Sequence, residues 1–159
     1  MVSKILTTHV GSLPRSKQLS EYLFAKDKGE KIDKEQFENI LISNVDQIVK
    51  RQLEVGIDFI SDGEMSKISY ATYIKDRIDG FSGESERRAP ADLDDFPEYK
   101  EKIANSGGTP TYSRPCCTKE LKIKDENSLL NDINNFNKSL KKSNHTKAFM
   151  NAASPGVIN

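Results

Sequence analysis

Thr7-Thr8-His9-Val10-Gly11-Ser12-Leu13-Pro14-Arg15 decides how this chain reads, because β-prone residues run directly into a polar turn that carries a glycine and a proline. The same pattern returns at Asp58-Phe59-Ile60-Ser61-Asp62-Gly63-Glu64 and again at Ala148-Phe149-Met150-Asn151-Ala152-Ala153-Ser154-Pro155-Gly156. Each stretch delivers small or ionisable groups just past the C-terminal end of a short strand. That is the arrangement from which α/β barrels assemble a site.

Outward from these junctions the pattern alternates. Lys4 to His9 reads as a strand, followed by a helix from about Lys17 to Lys26 with Leu19, Tyr22 and Leu23 on one side. The clearest element is a helix from Lys34 to Val55, where Phe37, Ile40, Leu41, Val45, Ile48, Val49 and Leu53 recur at three- and four-residue steps. Asp33 is placed to cap it, Gln36 to complete a capping box, and Gly56 to end it in a left-handed residue. A second strand over Gly56 to Ser61 follows at once, and a crossover of this length requires parallel strands.

Ile68 to Ile78 suits a helix carrying Tyr70, Tyr73 and Ile74. The span 80–108 loses all periodicity and reads as an irregular loop, with an acidic run at Asp92-Leu93-Asp94-Asp95. Thr109 to Lys124 predicts a small hairpin outside the main sheet, with Leu121 to Lys124 its best strand. Asn127 to Leu140 predicts a helix with Leu129, Leu130, Ile133, Phe136 and Leu140 inward, and Lys147 to Ala152 a third strand. The fold class is therefore α/β, with about three main parallel strands and a hairpin excursion in one domain, 1–159.

At 159 residues the chain suits one domain that buries about 70% of its unfolded surface. Only 35% of residues are hydrophobic and 30% are charged, which predicts a thin core. Twenty-four basic residues balance 24 acidic ones, so no global field favours nucleic acid or an anionic membrane. The locally basic Lys138 to Lys147 lacks interleaved aromatics and reads as a solvated helix end. No run approaches the ~18 apolar residues of a membrane span, and the expected location is the cytoplasm.

Cys116 and Cys117 are adjacent, which strains a disulfide between them and mismatches the usual two-to-four-residue spacing of zinc ligands. They read as reduced, partly buried thiols. Among the junction residues, His9 stands at a strand end as either a ligand contact or a structural group, and Gly11 and Ser12 allow close backbone approach. Asp62 and Glu64 place two carboxylates in one turn, where they could bind an amino group, take protons, reach a metal or simply face solvent. Glu64 is the stronger candidate for ligand contact, and Asp62 could instead orient His9. Arg114 offers a guanidinium for an anion but reads better as a plain surface arginine, and Ser154-Pro155-Gly156 resembles a turn into a helix N-terminus that could meet an anion and is equally readable as plain structure.

Together, Thr7 to Arg15, Gly56 to Met65 and Phe149 to Ile158 resemble the start of the catalytic barrel of cobalamin-independent methionine synthase. The nearest likeness is to its single-barrel relatives, a group that includes epoxyalkane:coenzyme M transferase. The resemblance implies the N-terminal portion of a (β/α)8 (TIM) barrel in which zinc activates a substrate thiol that then attacks a methyl or other alkyl donor. It implies that Val10, Gly11, Ser12 and Glu64 contact a thiol amino acid such as homocysteine, Glu64 near the amino group. His9 and Asp62 belong to the single-barrel version of the motifs and are added to that substrate-binding set; no catalytic residue is assigned.

The family's zinc ligands, a His-x-Cys pair, a glutamate and a late cysteine, match nothing in Cys116-Cys117, His9 or His145. A complete barrel needs eight strands and at least about 200 residues. The barrel is therefore expected to be incomplete and the zinc ligands absent from this chain, as in a truncated or split form. The implied function is methyl transfer from a 5-methyltetrahydrofolate-like donor to homocysteine or a related thiol. The alternatives are thiol alkylation of the coenzyme M transferase type, and a non-catalytic fragment that needs a complementary chain or pairs with itself.

Overall fold

The computed structural model describes residues 4–83, 91–105 and 115–154. Its elements, in order, are helices α1 (Lys17–Asp27) and α2 (Lys34–Glu54), strand β1 (Ile60–Ser61), helix α3 (Tyr70–Lys75) and strand β2 (Ile78–Ser82). A 3-10 turn (Ala91–Leu93), α4 (Pro97–Asn105), β3 (Cys116–Ile123), α5 (Asn127–Lys142) and β4 (Ala148–Phe149) complete it. Arg114, Pro155, Gly156, Val157 and Ile158 lie outside the described residues.

α2 forms where its stripe predicted. The Asp33 side chain accepts from the backbone N–H of Gln36 at 3.0 Å, while the Gln36 side chain turns away from the expected capping box to accept from the Tyr22 hydroxyl. Gly56 follows with φ +83°, the left-handed value that ends helices cheaply only at glycine. The inner face of α2, Leu41, Val45 and Val49, packs with Leu19 and Leu23 of α1, Ile60 and Met65, and Phe136 and Leu140 of α5. These nine side chains are the described core. A core this small agrees with the sparing hydrophobic content.

Three parallel segments lie side by side in chain order. Thr8 bridges Phe59, and Ile60 and Ser61 pair with Ala148 and Phe149. The N–H of Phe59 donates to the Thr7 carbonyl at 3.0 Å, and the next N–H, of Ile60, donates the other way to Lys147 at 3.0 Å, which places β1 in the middle. The fold is thus mixed α/β with parallel strands joined by helical crossovers. The predicted first strand, Lys4 to His9, contracts to that single bridge. Its ladder is replaced in part by the Asp58 side chain, which accepts from Lys4 and takes the N–H and hydroxyl of Thr7 at 2.9 and 3.1 Å. The Lys4 ammonium, with these Thr7 donors, holds the Asp58 carboxyl below the usual range.

Elsewhere the structure departs from the reading. The helix expected over Ile68 to Ile78 is confined to α3, because Ser69 and Thr72 close a reciprocal capping box at its start and the chain is drawn into the β2 ladder at its end. The predicted excursion exists as a separate antiparallel pair, but the partner of β3 is β2, with Ile78 opposite Ile123 and Ser82 opposite Cys116. Within 80–108, the described residues hold the end of β2, the 3-10 turn and α4. Cys116 and Cys117 are free and exposed, not partly buried, since β3 lies outside the core. Leu129 and Leu130 are 44% and 53% exposed: the buried side chains of α5 begin at Asn135, and these two leucines lie beyond the core. No helix among the described residues is long and apolar enough to cross a membrane.

The end of β1 is held by a side chain. The buried Gln52 amide donates to the Ser61 carbonyl at 2.8 Å and accepts from the Ser61 N–H at 3.1 Å, so one α2 residue satisfies both backbone groups of the last strand residue. Two residues later, Gly63 has φ +62°, and a Cβ there would stand 2.9 Å from the Met65 methyl and 3.2 Å from Leu13. We expect Gln52→Leu, similar in volume but without donors or acceptors, to destabilise the fold by about 2 kcal/mol or more in urea unfolding, since it strands two buried backbone groups. Gly63→Ala should cost about 2 kcal/mol or more, from left-handed strain and overpacking, and lower the midpoint of thermal unfolding.

Candidate functional site

The turn Asp62-Gly63-Glu64 leaves β1 already oriented by Gln52. The Asp62 carboxylate folds over the turn to accept the Glu64 N–H at 3.1 Å, and the Gly63 carbonyl accepts the Leu13 N–H at 3.0 Å. Glu64 itself has φ +55°, a costly conformation for a residue with a side chain. Arg15 holds it there: its Nη2 donates to the Glu64 carbonyl at 2.8 Å and also to that of Lys67. Burial pushes the Arg15 guanidinium down from its ordinary value, while Glu64 and Asp62 pull the other way.

With the backbone fixed, the Glu64 carboxylate collects donors from the first and third junctions and from α3. Ser12 donates to Oε2 at 2.6 Å; Tyr70 and Asn151 donate to Oε1 at 2.6 and 3.0 Å. Glu64 is only 6% exposed. Burial alone would raise its carboxyl, but the bonds from Ser12, Tyr70 and Asn151, with the Lys67 charge, outweigh it and hold the group below the ordinary glutamate value. The Tyr70 hydroxyl is correspondingly pushed up to about 12, chiefly by its bond to Glu64. An ionised carboxylate has about four acceptor positions, and these bonds leave one on Oε2.

A buried cation stands beside it. Lys67, 3% exposed, places Nζ 3.5 Å from Asp62 Oδ2, 3.3 Å from the Asn151 carbonyl and 5.2 Å from the centre of the Tyr73 ring. Behind Tyr73, Asp132 accepts its hydroxyl at 2.9 Å and Arg77 at 3.3 Å. Burial pushes the Asp132 carboxyl up against the opposing pull of Arg77. In front of Lys67, Tyr70 and Asn151 opens a groove of about 460 Å³, walled by Ile74, Ile78, Leu130, Ile133 and Met150 among others.

The sequence candidates therefore fall into two groups. Ser12, Asp62 and Glu64 form one hydrogen-bonded unit. His9 is half-buried with Nε2 enclosed and unpartnered, and the Asp62 oxygens are engaged by Lys67 and the Glu64 N–H, not by that nitrogen. Val10 is 68% exposed, and Gly11 adopts φ +100° with open space around it. Arg15, Lys67, Tyr70 and Asn151 were not picked out as site residues from the sequence. Asn151 carried the same signal as the others, a polar residue at a strand end, whereas Tyr70 read only as part of a helix face.

These donors do not fit a zinc site. Each Asp62 and Glu64 oxygen already accepts a hydrogen bond, the two thiols sit on β3 outside the core, and no cluster of three His, Cys, Asp or Glu side chains among the described residues could hold a metal ion.

Comparison with known proteins bears on the same segments. A methionine synthase from Sulfolobus acidocaldarius is 31% identical over 134 residues, 84% of this chain and 34% of that protein. A 5-methyltetrahydropteroyltriglutamate–homocysteine methyltransferase from Bifidobacterium longum subsp. infantis is 29% identical over 75 residues, 47% of this chain and 10% of that protein. The chain thus spans about a third of the first relative and about a tenth of the second. The crystal structure of a Listeria monocytogenes protein assigned as a vitamin-B12 independent methionine synthase aligns with 64% of this chain and 34% of its own, at 22% identity and a TM-score of 0.36. That superposition is too loose to bear on the fold. The family model for the catalytic domain of cobalamin-independent synthase matches residues 5–89, more than half of the chain, and it is to this family of methionine-synthase-like methyltransferases that the protein belongs.

Proposed function

We propose that this chain supplies the thiol-substrate rim of a methyltransferase that moves a methyl group from a methyltetrahydrofolate-like donor to homocysteine or a related thiol. The observation that supports it best is the Glu64 carboxylate: buried, kept ionised by three donors, left with one acceptor position, and held by Tyr70 and Asn151, which line an open groove. Such a group suits the ammonium of an amino acid thiol. Ser12 fixes the carboxylate, and Val10, Gly11, His9 and Asp62 complete the proposed rim. The net reaction replaces the thiol S–H with S–CH3 and returns the proton to the donor. No step is assigned to zinc, since the described residues do not fit it. The domain, 1–159, is proposed to be the N-terminal portion of a (β/α)8 barrel, to which the three parallel segments belong.

A second reading, that the parallel layer is completed by a complementary chain or a second copy, is supported by the exposure of Ile5 at 86% and Leu6 at 50%. Both belong to the outermost segment, whose described ladder contact is on one side only. Light scattering should then show an oligomer that disperses with Ile5→Lys where a second copy is the partner, and a monodisperse monomer at micromolar concentration would remove self-pairing.

For the leading proposal, calorimetry with L-homocysteine should give heat with the natural chain and none with Glu64→Gln, which keeps the shape but removes the charge. Wild-type heat that survives the substitution would refute the assignment. Because the folded carboxyl is held below its unfolded value, its contribution to stability is present at neutral pH and is lost as pH falls through the folded value. Homocysteine affinity should accordingly stay level from pH 7 to 5 and fall only below the ordinary glutamate value of about 4.3.

A further inference from the structure

We propose that Tyr70 is a positioning residue for the Glu64 carboxylate: from the groove wall its hydroxyl, with the Asn151 amide, ties down Oε1 so that Oε2 alone is offered to a ligand. The geometry is specific. Tyr70 opens α3, whose start is fixed by the Ser69–Thr72 capping box, and its hydroxyl reaches Oε1 at 2.6 Å while its ring borders the groove. Asn151 approaches the same oxygen at 3.0 Å from just beyond β4. Ser12 takes one position on Oε2 at 2.6 Å. Three of about four acceptor positions are thereby filled, and the open one belongs to Oε2.

The charged and titratable groups around this carboxylate are few. Arg15 reaches its backbone from the first junction, Asp62 and Lys67 flank it on its own turn, and Tyr70 faces it from α3; Ser12 and Asn151 contribute neutral donors. Of the donors to the carboxylate itself, Tyr70 is the one whose own ionisation is displaced, and in the direction that keeps it a donor through the physiological range. A phenol that only packed against the turn would not couple to Glu64 in this way.

The inference deepens the reading of Glu64 as the ammonium contact, and its consequence for ligand binding rests on that reading; its electrostatic core does not. The test is a 13C titration of the Glu64 carboxyl in the full chain labelled at glutamate, with the resonance identified by its loss in Glu64→Gln. Tyr70→Phe, folded by its amide spectrum, should raise the Glu64 midpoint. An unchanged midpoint in the folded variant overturns the proposal.

If Tyr70→Phe does not fold, the reciprocal experiment decides. In tyrosine-labelled Glu64→Gln, Tyr70 should fall from about 12 toward its ordinary 10, and no fall overturns the proposal. With homocysteine as probe, Tyr70→Phe should begin to lose affinity on acidification at a higher pH than the natural chain, whereas a purely packing role would weaken binding equally at every pH. Absence of homocysteine binding to the natural chain would sink the ammonium reading and leave the titration result standing.

Discussion

The Glu64 carboxylate is the point on which the site depends, because it is where three separate stretches of chain meet. Ser12 arrives from the end of the first extended segment, Tyr70 from the helix after β1, and Asn151 from just past β4, and each donates one hydrogen bond. A buried carboxylate with fewer donors would take up a proton and lose its use as an anion. Here the donors win against burial, and the group stays charged. The left-handed backbone at Glu64 is the conformational cost of aiming it inward, offset by Arg15, Asp62 and Leu13 gripping the surrounding turn.

Around this point the packing is economical. α2 serves twice: its apolar face makes the centre of the core, and Gln52, on the same buried side, supplies the polar partner that the last residue of β1 needs. A purely apolar stripe would have left Ser61 without partners at the place where the turn must leave at a defined angle. Asp58 acts similarly at the other end of the strand, gathering Lys4 and Thr7 where ladder pairing is sparse. Short strands are thus reinforced by side chains that imitate strand neighbours.

Legibility in the sequence followed the range of the interaction. α2 could be read with its cap and its stop because Asp33, Gln36 and Gly56 act within a few residues of one another, and the apolar stripe repeats seven times. The junctions at Ser12, Glu64 and Asn151 were visible because a strand followed by glycine or small polar residues is a local pattern. The pairing of Ile78–Ser82 with Cys116–Ile123 was not, since nothing near Ile78 states that its partner lies 45 residues away and the local pattern there favoured extending a helix. Leu129 and Leu130 misled for the same reason: periodicity gives the face of a helix, but not how far along that face the core extends. Tyr70 read as one more apolar helix residue until the fold brought its hydroxyl to Glu64.

The span of the Glu64 contacts also has a kinetic meaning. Ser12 lies 52 residues before Glu64 and Asn151 lies 87 after it, so the cluster closes two large loops whose entropy must be lost before any of its bonds form. α2, built from contacts a few residues apart, can form early; the charged, correctly aimed carboxylate belongs to the last stage of folding. Until Asn151 docks, Glu64 is a partly satisfied acid near an apolar interior. The full donor set of Glu64 is therefore completed late, and a nearly folded chain would have much of the shape of the site without all the bonds that favour its charge.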